Sequence, residues 1–227
     1  MKKIVLITGA NRGIGLETAT QMKALGYKVI LTSRNADEGQ RVARDLEVGY
    51  YQLDVASAES ISALTAYMDA EFGQLDVLIN NAGILLDRSD KILDIPVEKL
   101  QTMFETNTLA PLMLIRALLP LMQKNNYGRI VNVSSQLGSI SNFNDYTPAY
   151  RLTKLALNGV TRMLADALKG TNILVNSVHP GWVKTEMGGA GAPLNLEDGA
   201  HNVIWAATLP DDGPQGGFFY AGKPMAW

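Results

Sequence analysis

The 227-residue chain has no cysteine, which excludes disulfides, thiolate nucleophiles and Cys-ligated metals. Histidine is almost as scarce: with only His179 and His201, a multi-His metal centre is not expected and no metal site is assigned. Charge of one sign is missing too. Lys plus Arg total 20 against 22 for Asp plus Glu, so the basic footprint of a nucleic-acid or anionic-membrane binder is lacking. Long apolar runs are also missing. MKKIVLITGA opens like a secretion signal, but its apolar run from Ile4 to Ile7 is short and Asn11 and Arg12 follow at once. No segment approaches the ~18 uninterrupted apolar residues of a membrane span. A soluble, cytoplasmic protein is expected, and the length suits a single α/β domain over residues 1–227.

What is present is alternation. Short apolar or β-branched runs, KIVLIT, KVILT, YYQLD, LDVLIN, RIVNVSS, NILVNSVHP and GGFFY, read as seven strands. Between them, periodic stretches at 13–25, 37–46, 57–72, 97–124, 148–169 and 197–208 read as helices. Strands alternating with helices imply right-handed crossovers, hence a seven-stranded parallel sheet with helices on both faces: a doubly wound Rossmann fold. Ligands of such a fold sit beyond the carboxyl ends of the strands. The glycine-rich segment 188–195, GGAGAPLN, follows the sixth strand and is a candidate lid.

Two motifs carry chemistry. TGANRGIG, from Thr8 to Gly15, lies between the first strand and the first helix. Glycines there permit a tight turn and close backbone approach, and a helix N-terminus attracts a pyrophosphate. YRLTK places Tyr150 and Lys154 four residues apart on one helix face. That spacing lets an ammonium act on a phenol, but taken alone it is better explained by packing of Tyr150 and solvation of Lys154. Lowering a phenol by roughly three units takes about 4 kcal/mol.

TGxxxGIG resembles the fingerprint of the short-chain dehydrogenase/reductase family, and the resemblance recurs along the chain. NNAG stands at Asn80–Gly83, Asn107 lies within the predicted helix 97–124, Ser134 and Ser135 end the fifth strand, YRLTK follows, and HPGWVKT spans His179–Thr185. The resemblance implies a catalytic set of Asn107, Ser135, Tyr150 and Lys154. In it Tyr150 is the proton donor in reduction and the base in oxidation, and Lys154 lowers the phenol pKa and holds the nicotinamide ribose. Ser135, followed three residues later by Gly138, donates to the substrate oxygen, and the Asn107 backbone holds a water that reaches Lys154. It also implies an NADPH/NADP site made of Gly9, Asn11, Arg12, Gly13, Ile14, Gly15, Asp54, Val55, Asn81, Ala82, Gly83, Pro180, Gly181, Val183 and Thr185. In the family, an acidic residue ending the second strand selects NAD. Here Ser33 and Arg34 stand there, and Arg34 with Arg12 would hold a 2′-phosphate. Asp54 would contact adenine, or else cap the helix that follows.

Within the family the sequence looks most like the carbonyl reductase branch, which implies NADPH-dependent reduction of ketones, aldehydes or quinones. Leu85, Leu86, Ser135, Leu137, Phe143, Tyr150 and Trp182 are expected to line an apolar pocket for a small hydrophobic carbonyl substrate. A C=C (enone) reductase on the same scaffold and a non-catalytic NADP-binding sensor are the competing readings. The segment before Tyr150 lacks the long insertion of mammalian members of the branch, which leaves a monomer or a homodimer open and makes a tetramer less expected.

Overall fold

A computed structural model of the chain describes residues 2–227. The first four strands are β1 (Ile4–Ile7), β2 (Lys28–Ser33), β3 (Gly49–Gln52) and β4 (Val77–Asn80). β5 (Gly128–Val133), β6 (Ile173–Val178), β7 (Phe218–Tyr220) and β8 (Lys223–Pro224) complete one sheet in the order β3-β2-β1-β4-β5-β6-β7-β8. The helices are α1 (Gly13–Ala24), α2 (Ala36–Leu46), α3 (Ala58–Phe72), α4 (Val97–Phe104), α5 (Ala110–Gln123), α6 (Pro148–Ala167) and α7 (Leu196–Ala207).

All seven expected strands are present, and every pairing from β3 to β7 is parallel. An eighth strand, absent from the sequence reading, pairs antiparallel with β7. It arises because Ala221 and Gly222 both adopt positive φ, 49° and 73°, the two-residue turn whose twist matches a hairpin. Its second residue is Pro224, which is tolerated because this strand is the sheet edge.

Alternation along each strand sends side chains to opposite faces. Val5 and Ile7 of β1 join Val29, Leu31, Val77 and Ile79 in a core closed by Ala19 and Met22 of α1 and by Val203, Ala206 and Ala207 of α7. Ile4 and Leu6 join Ile30, Leu78, Ile130 and Val175 in a second core closed by Leu64 and Met68 of α3 and by Leu114 and Leu118 of α5. Both faces are buried, which is why the strands read as continuous apolar runs. Consecutive strands run outward on either side of β1 and β4, so the chain reverses its winding there and leaves a crevice at their carboxyl ends.

The helix expected over 97–124 is instead three pieces, since residues Glu105–Leu109 form a π-helical turn between α4 and α5. Asn107 lies within it, fully buried. Such turns concentrate at functional sites. Among the described residues, no helix is long and apolar enough to cross a membrane.

Candidate active site

The glycine loop and the NNAG segment are built as one unit. Asn81 Nδ2 donates to the carbonyls of Thr8 and Gly9 at 2.8 and 3.0 Å, while the Asn81 and Ala82 N–H groups donate to Thr8 Oγ1, both at 3.0 Å. A Cβ on Gly15 would stand 2.4 Å from Asn81 Nδ2 and 2.7 Å from the Gly9 carbonyl oxygen, so only glycine fits without a shift. Gly9 and Gly13 have φ of 62° and 58°, a region that suits glycine. Across the crevice the HPGWVKT loop closes on this unit: a Cβ on Gly13 would meet Thr185 Cγ2 at 3.7 Å, and one on Gly199 would meet both Val183 and Ile14. Among the described residues, no side chain caps α1 and its first turn carries no acid. By contrast α2, α3 and α7 are capped by Asn35, Ser57 and the Asn195–Asp198 pair.

Other expected cofactor residues are placed less decisively. Ser57, not Asp54, caps α3; Asp54 Oδ1 instead accepts from the Ala56 N–H at 3.0 Å, closing the turn that leads into the helix. Val55 packs partly buried against the second core. Arg34 is exposed at the end of β2, whereas Arg12 pairs with Glu186 at 2.7 Å on the far side of the crevice. Asn11 is half-buried in the glycine loop. Gly181 needs its φ of 96° to turn the chain after β6, and the Pro180 carbonyl accepts from Asn202 Nδ2 at 3.0 Å.

The second cluster lies at the ends of β4 and β5 against α6. Asn107 pairs its side-chain amide with the backbone of Ile84, accepting from its N–H and donating to its carbonyl, both at 2.8 Å. The same Nδ2 reaches Thr153 Oγ1 at 3.2 Å. A Cβ on Gly83 would sit 3.3 Å from Asn107 Oδ1 and 3.6 Å from Lys154 Nζ, so Gly83, Asn107 and Lys154 share one corner. Lys154, 4% exposed, donates from Nζ to the Val133 carbonyl at 2.8 Å and stands 5.6 Å from the Tyr150 ring centre. Gly138 lets the segment after β5 press against α6, since a Cβ there would collide with the Lys154 backbone at 2.7 Å. Ser135, nearly buried, accepts from the Leu137 N–H at 3.1 Å.

The electrostatics of this corner correct one expectation. Burial pushes the Tyr150 phenol up to about 12; the Ser135 hydroxyl beside it pulls down and the Asp87 carboxylate pushes further up. Burial likewise pushes Lys154 down to about 8. The expected lowering of the phenol is therefore not what this structure gives: withdrawal of water raises it, and the hydrogen bond with Ser135 only partly offsets that. His179, at the end of β6, is pushed down to about 4 by burial, and its Nδ1 has no partner among the described residues.

Of the expected substrate wall, Leu137 packs with Tyr150, Ile84 and Leu85, and Trp182 is half-exposed, its Nε1 donating to the Gly188 carbonyl at 2.8 Å. Leu86 is exposed. Phe143 lines instead a separate cavity of about 300 Å³ with Ile92, Pro148, Arg151 and Leu152, which includes none of Ser135, Tyr150 and Lys154. Two residues outside the sequence reading touch the phenol's surroundings. Met187 brings its sulfur to 3.8 Å from the Tyr150 hydroxyl, and Asp87 accepts from the Tyr150 N–H. Neither belongs to a spaced motif. Met187 does lie two residues past Thr185, and that proximity was the only available signal.

The segment 188–195 is anchored at both ends: the Gly188 N–H donates to Thr185 Oγ1 and the Gly189 N–H to the Thr185 carbonyl, both at 2.8 Å, while the Lys184 N–H donates to the Leu194 carbonyl at 2.9 Å. Residues 3–193 match the family model described as short chain dehydrogenase. The chain is 30% identical to (+)-neomenthol dehydrogenase of Arabidopsis thaliana, over 99% of this chain and 97% of that protein. Among solved structures, carbonyl reductase Sniffer of D. melanogaster superposes with a TM-score of 0.90 at 34% identity, covering 100% of both chains. NADPH-bound carbonyl reductase from chicken fatty liver gives a TM-score of 0.90 at 32% identity, over 100% of this chain and 99% of that one.

Proposed function

The chain belongs to the short-chain dehydrogenase family, and from that premise we propose that it reduces ketone, aldehyde or quinone carbonyls with NADPH, reversibly, Tyr150 being the proton donor. The carrying observation is the buried corner where Lys154 stands beside Gly83 and 5.6 Å from the Tyr150 ring centre, with Ser135 against the phenol, next to the Ala82 that packs on Gly9.

The residues present fit a dinucleotide. The uncapped N-terminus of α1 leaves N–H groups and the positive end of the helix dipole facing the crevice, where the glycines keep side chains out of the way. Arg34, with Arg12 released from Glu186, would hold the 2′-phosphate; Asp54 and Val55 would border adenine; Asn81, Ala82 and Gly83 would wall the ribose; Val183 and Thr185 would hold the carboxamide. Bound NADPH supplies the hydride. Ser135 donates to the substrate oxygen, where negative charge develops, and the phenol gives up its proton there. A phenol raised to about 12 retains that proton throughout the neutral range, which suits a donor to an alkoxide. In the oxidative direction the same oxygen takes the proton back. Lys154 keeps a positive charge below about pH 8 and, 5.6 Å from the Tyr150 ring centre, would act on the phenol and hold the ribose. The proposal includes action as a single domain, in the cytoplasm, as a monomer or homodimer.

The test is a panel of hydrophobic ketones, aldehydes and quinones assayed with NADPH and NADH on the wild type and on Tyr150→Phe. Turnover with NADPH that falls by about 10² to 10⁴ in the variant, with folding unchanged, is expected. Retained turnover in Tyr150→Phe removes the proton donor from the proposal, and reduction confined to the C=C bond of an enone changes the reaction class.

A further inference from the structure

Helix α6 carries Tyr150 and Lys154, yet it begins without a cap of its own. Thr147, at the N-cap position, sits at φ 50°, makes no capping bond and turns its hydroxyl to the Tyr146 carbonyl. Pro148 has no N–H to satisfy. The first free N–H groups of α6 are therefore those of Ala149 and Tyr150. That of Tyr150 is met by Asp87 Oδ2 at 3.1 Å, across 63 residues of sequence.

Asp87 is 0% exposed, and its other oxygen, Oδ1, is buried with no hydrogen-bond partner among the described residues. A half-satisfied buried carboxylate is a poor choice for stability alone, since an unpaired buried acceptor is destabilising, more so when charged. The charged groups around it are few. From α6 the Arg151 guanidinium feels its field and so does the Tyr150 phenol. Lys154 Nζ stands 5.6 Å from the centre of that ring, and Ser135 and Met187 are also beside the phenol. The segment bearing Asp87 is itself clamped to the entry of α6. Lys91 bridges to Tyr146, the Ile92 N–H donates to the Asp145 carbonyl at 3.0 Å, and the Thr147 N–H to the Asp90 carbonyl at 3.3 Å. Four residues upstream, the same segment is Gly83, at the corner shared by Asn107 and Lys154.

We propose that Asp87 is a positioning residue for Tyr150: its carboxylate caps the catalytic helix from outside, and its negative charge keeps the proton on the phenol until substrate takes it. This inference rests on the proposed role of Tyr150, but its readout does not. The ionisation of Tyr150 is measured by ultraviolet difference titration against Tyr150→Phe, made in the wild-type and in the variant backgrounds. Asp87→Asn keeps an acceptor for the N–H and removes the charge. Its Tyr150 titration moves to lower pH by about one unit. The alkaline limb of the reduction profile and the rising limb of the oxidation profile move down by the same amount, because one phenol serves both. Asp87→Ala, which also loses the cap, adds a drop in thermal stability. An unmoved Tyr150 titration in folded Asp87→Asn overturns the proposal. Should that variant fail to fold, Asp87→Ser, a smaller neutral acceptor, takes the same readings with the same two outcomes. Absence of any carbonyl turnover in the wild type would count against the proposed function, while the titration would still decide the role of Asp87.

Discussion

The N-termini of α1 and α6 face the same crevice and neither is capped by its own N-cap side chain, but they are finished in opposite ways. At α1 the last residue before the helix is Arg12, the flanking glycines hold side chains away, and the amides are left open. At α6 a fully buried Asp87 fills the place an anion would take. The open terminus is one a ligand can complete; the closed one has been completed by the chain and becomes a rigid mount for Tyr150 and Lys154. The contrast extends to solvent. The charged groups proposed for the nucleotide, Arg12 and Arg34, are exposed, whereas Tyr150 and Lys154 are almost dry.

That contrast has measurable edges. The largest is a pH dependence located at the buried end. Lys154 is pushed from its ordinary 10.5 to about 8, so between those values the unfolded chain holds a proton the native chain has lost. Stability therefore rises with pH across that window, by about 3 kcal/mol in all, and as pH falls through it the same amount is lost. Urea unfolding at pH 8 and pH 10 checks this, with Lys154→Met expected to flatten the rise. An identical slope in that variant would show that the buried lysine is not its source. Next comes Gly15→Ala at the open end. Its Cβ meets Asn81 Nδ2 and the Gly9 carbonyl, so the cradle must shift at a cost of about 1–3 kcal/mol. Calorimetric NADPH binding should weaken at least tenfold, on the order of 1.4 kcal/mol, while the Tyr150 titration stays in place. Movement of that titration would mean the two ends are less separate than their construction implies. The smallest effect is expected from Arg34→Asp, an exposed site. Replacing the cation by an anion should reduce the NADPH over NADH preference in kcat/KM by about tenfold or more, and an unchanged preference would free Arg34 from the phosphate role.

The glycine cradle was legible in the sequence because its requirements are local. Gly9, Gly13 and Gly15 answer to backbone angles and close contacts that few other residues meet, and NNAG meets them across the gap through Asn81. The strands were legible for a related reason: burial on both faces writes an apolar run into each. The buried corner at Tyr150 and Lys154 was legible only in its named residues. Asp87 reaches Tyr150 across 63 positions, and no periodicity or spacing signals such a pair. The direction of the phenol's shift depends on how much water the fold removes, which the YxxxK spacing does not contain. The π turn was hidden because Met103, Ala110 and Leu114 still read as one amphipathic face, although an extra residue has been accommodated between them. β8 was hidden because Ala221 supplies a positive φ usually signalled by Asn or Asp.

The π turn has a consequence for how this chain tolerates change in length. Five residues, Glu105–Leu109, are wound one step wider than an α-helix, so deleting any one of them would let α4 and α5 fuse into a single regular helix with better local hydrogen bonding. The same deletion leaves α4 and α5 on their present faces, because the wider turn is what absorbs the extra residue, but it re-aims the side chains within the turn, and the Asn107 amide no longer faces Ile84. Local regularity and the buried corner at Asn107 are thus alternatives within this stretch.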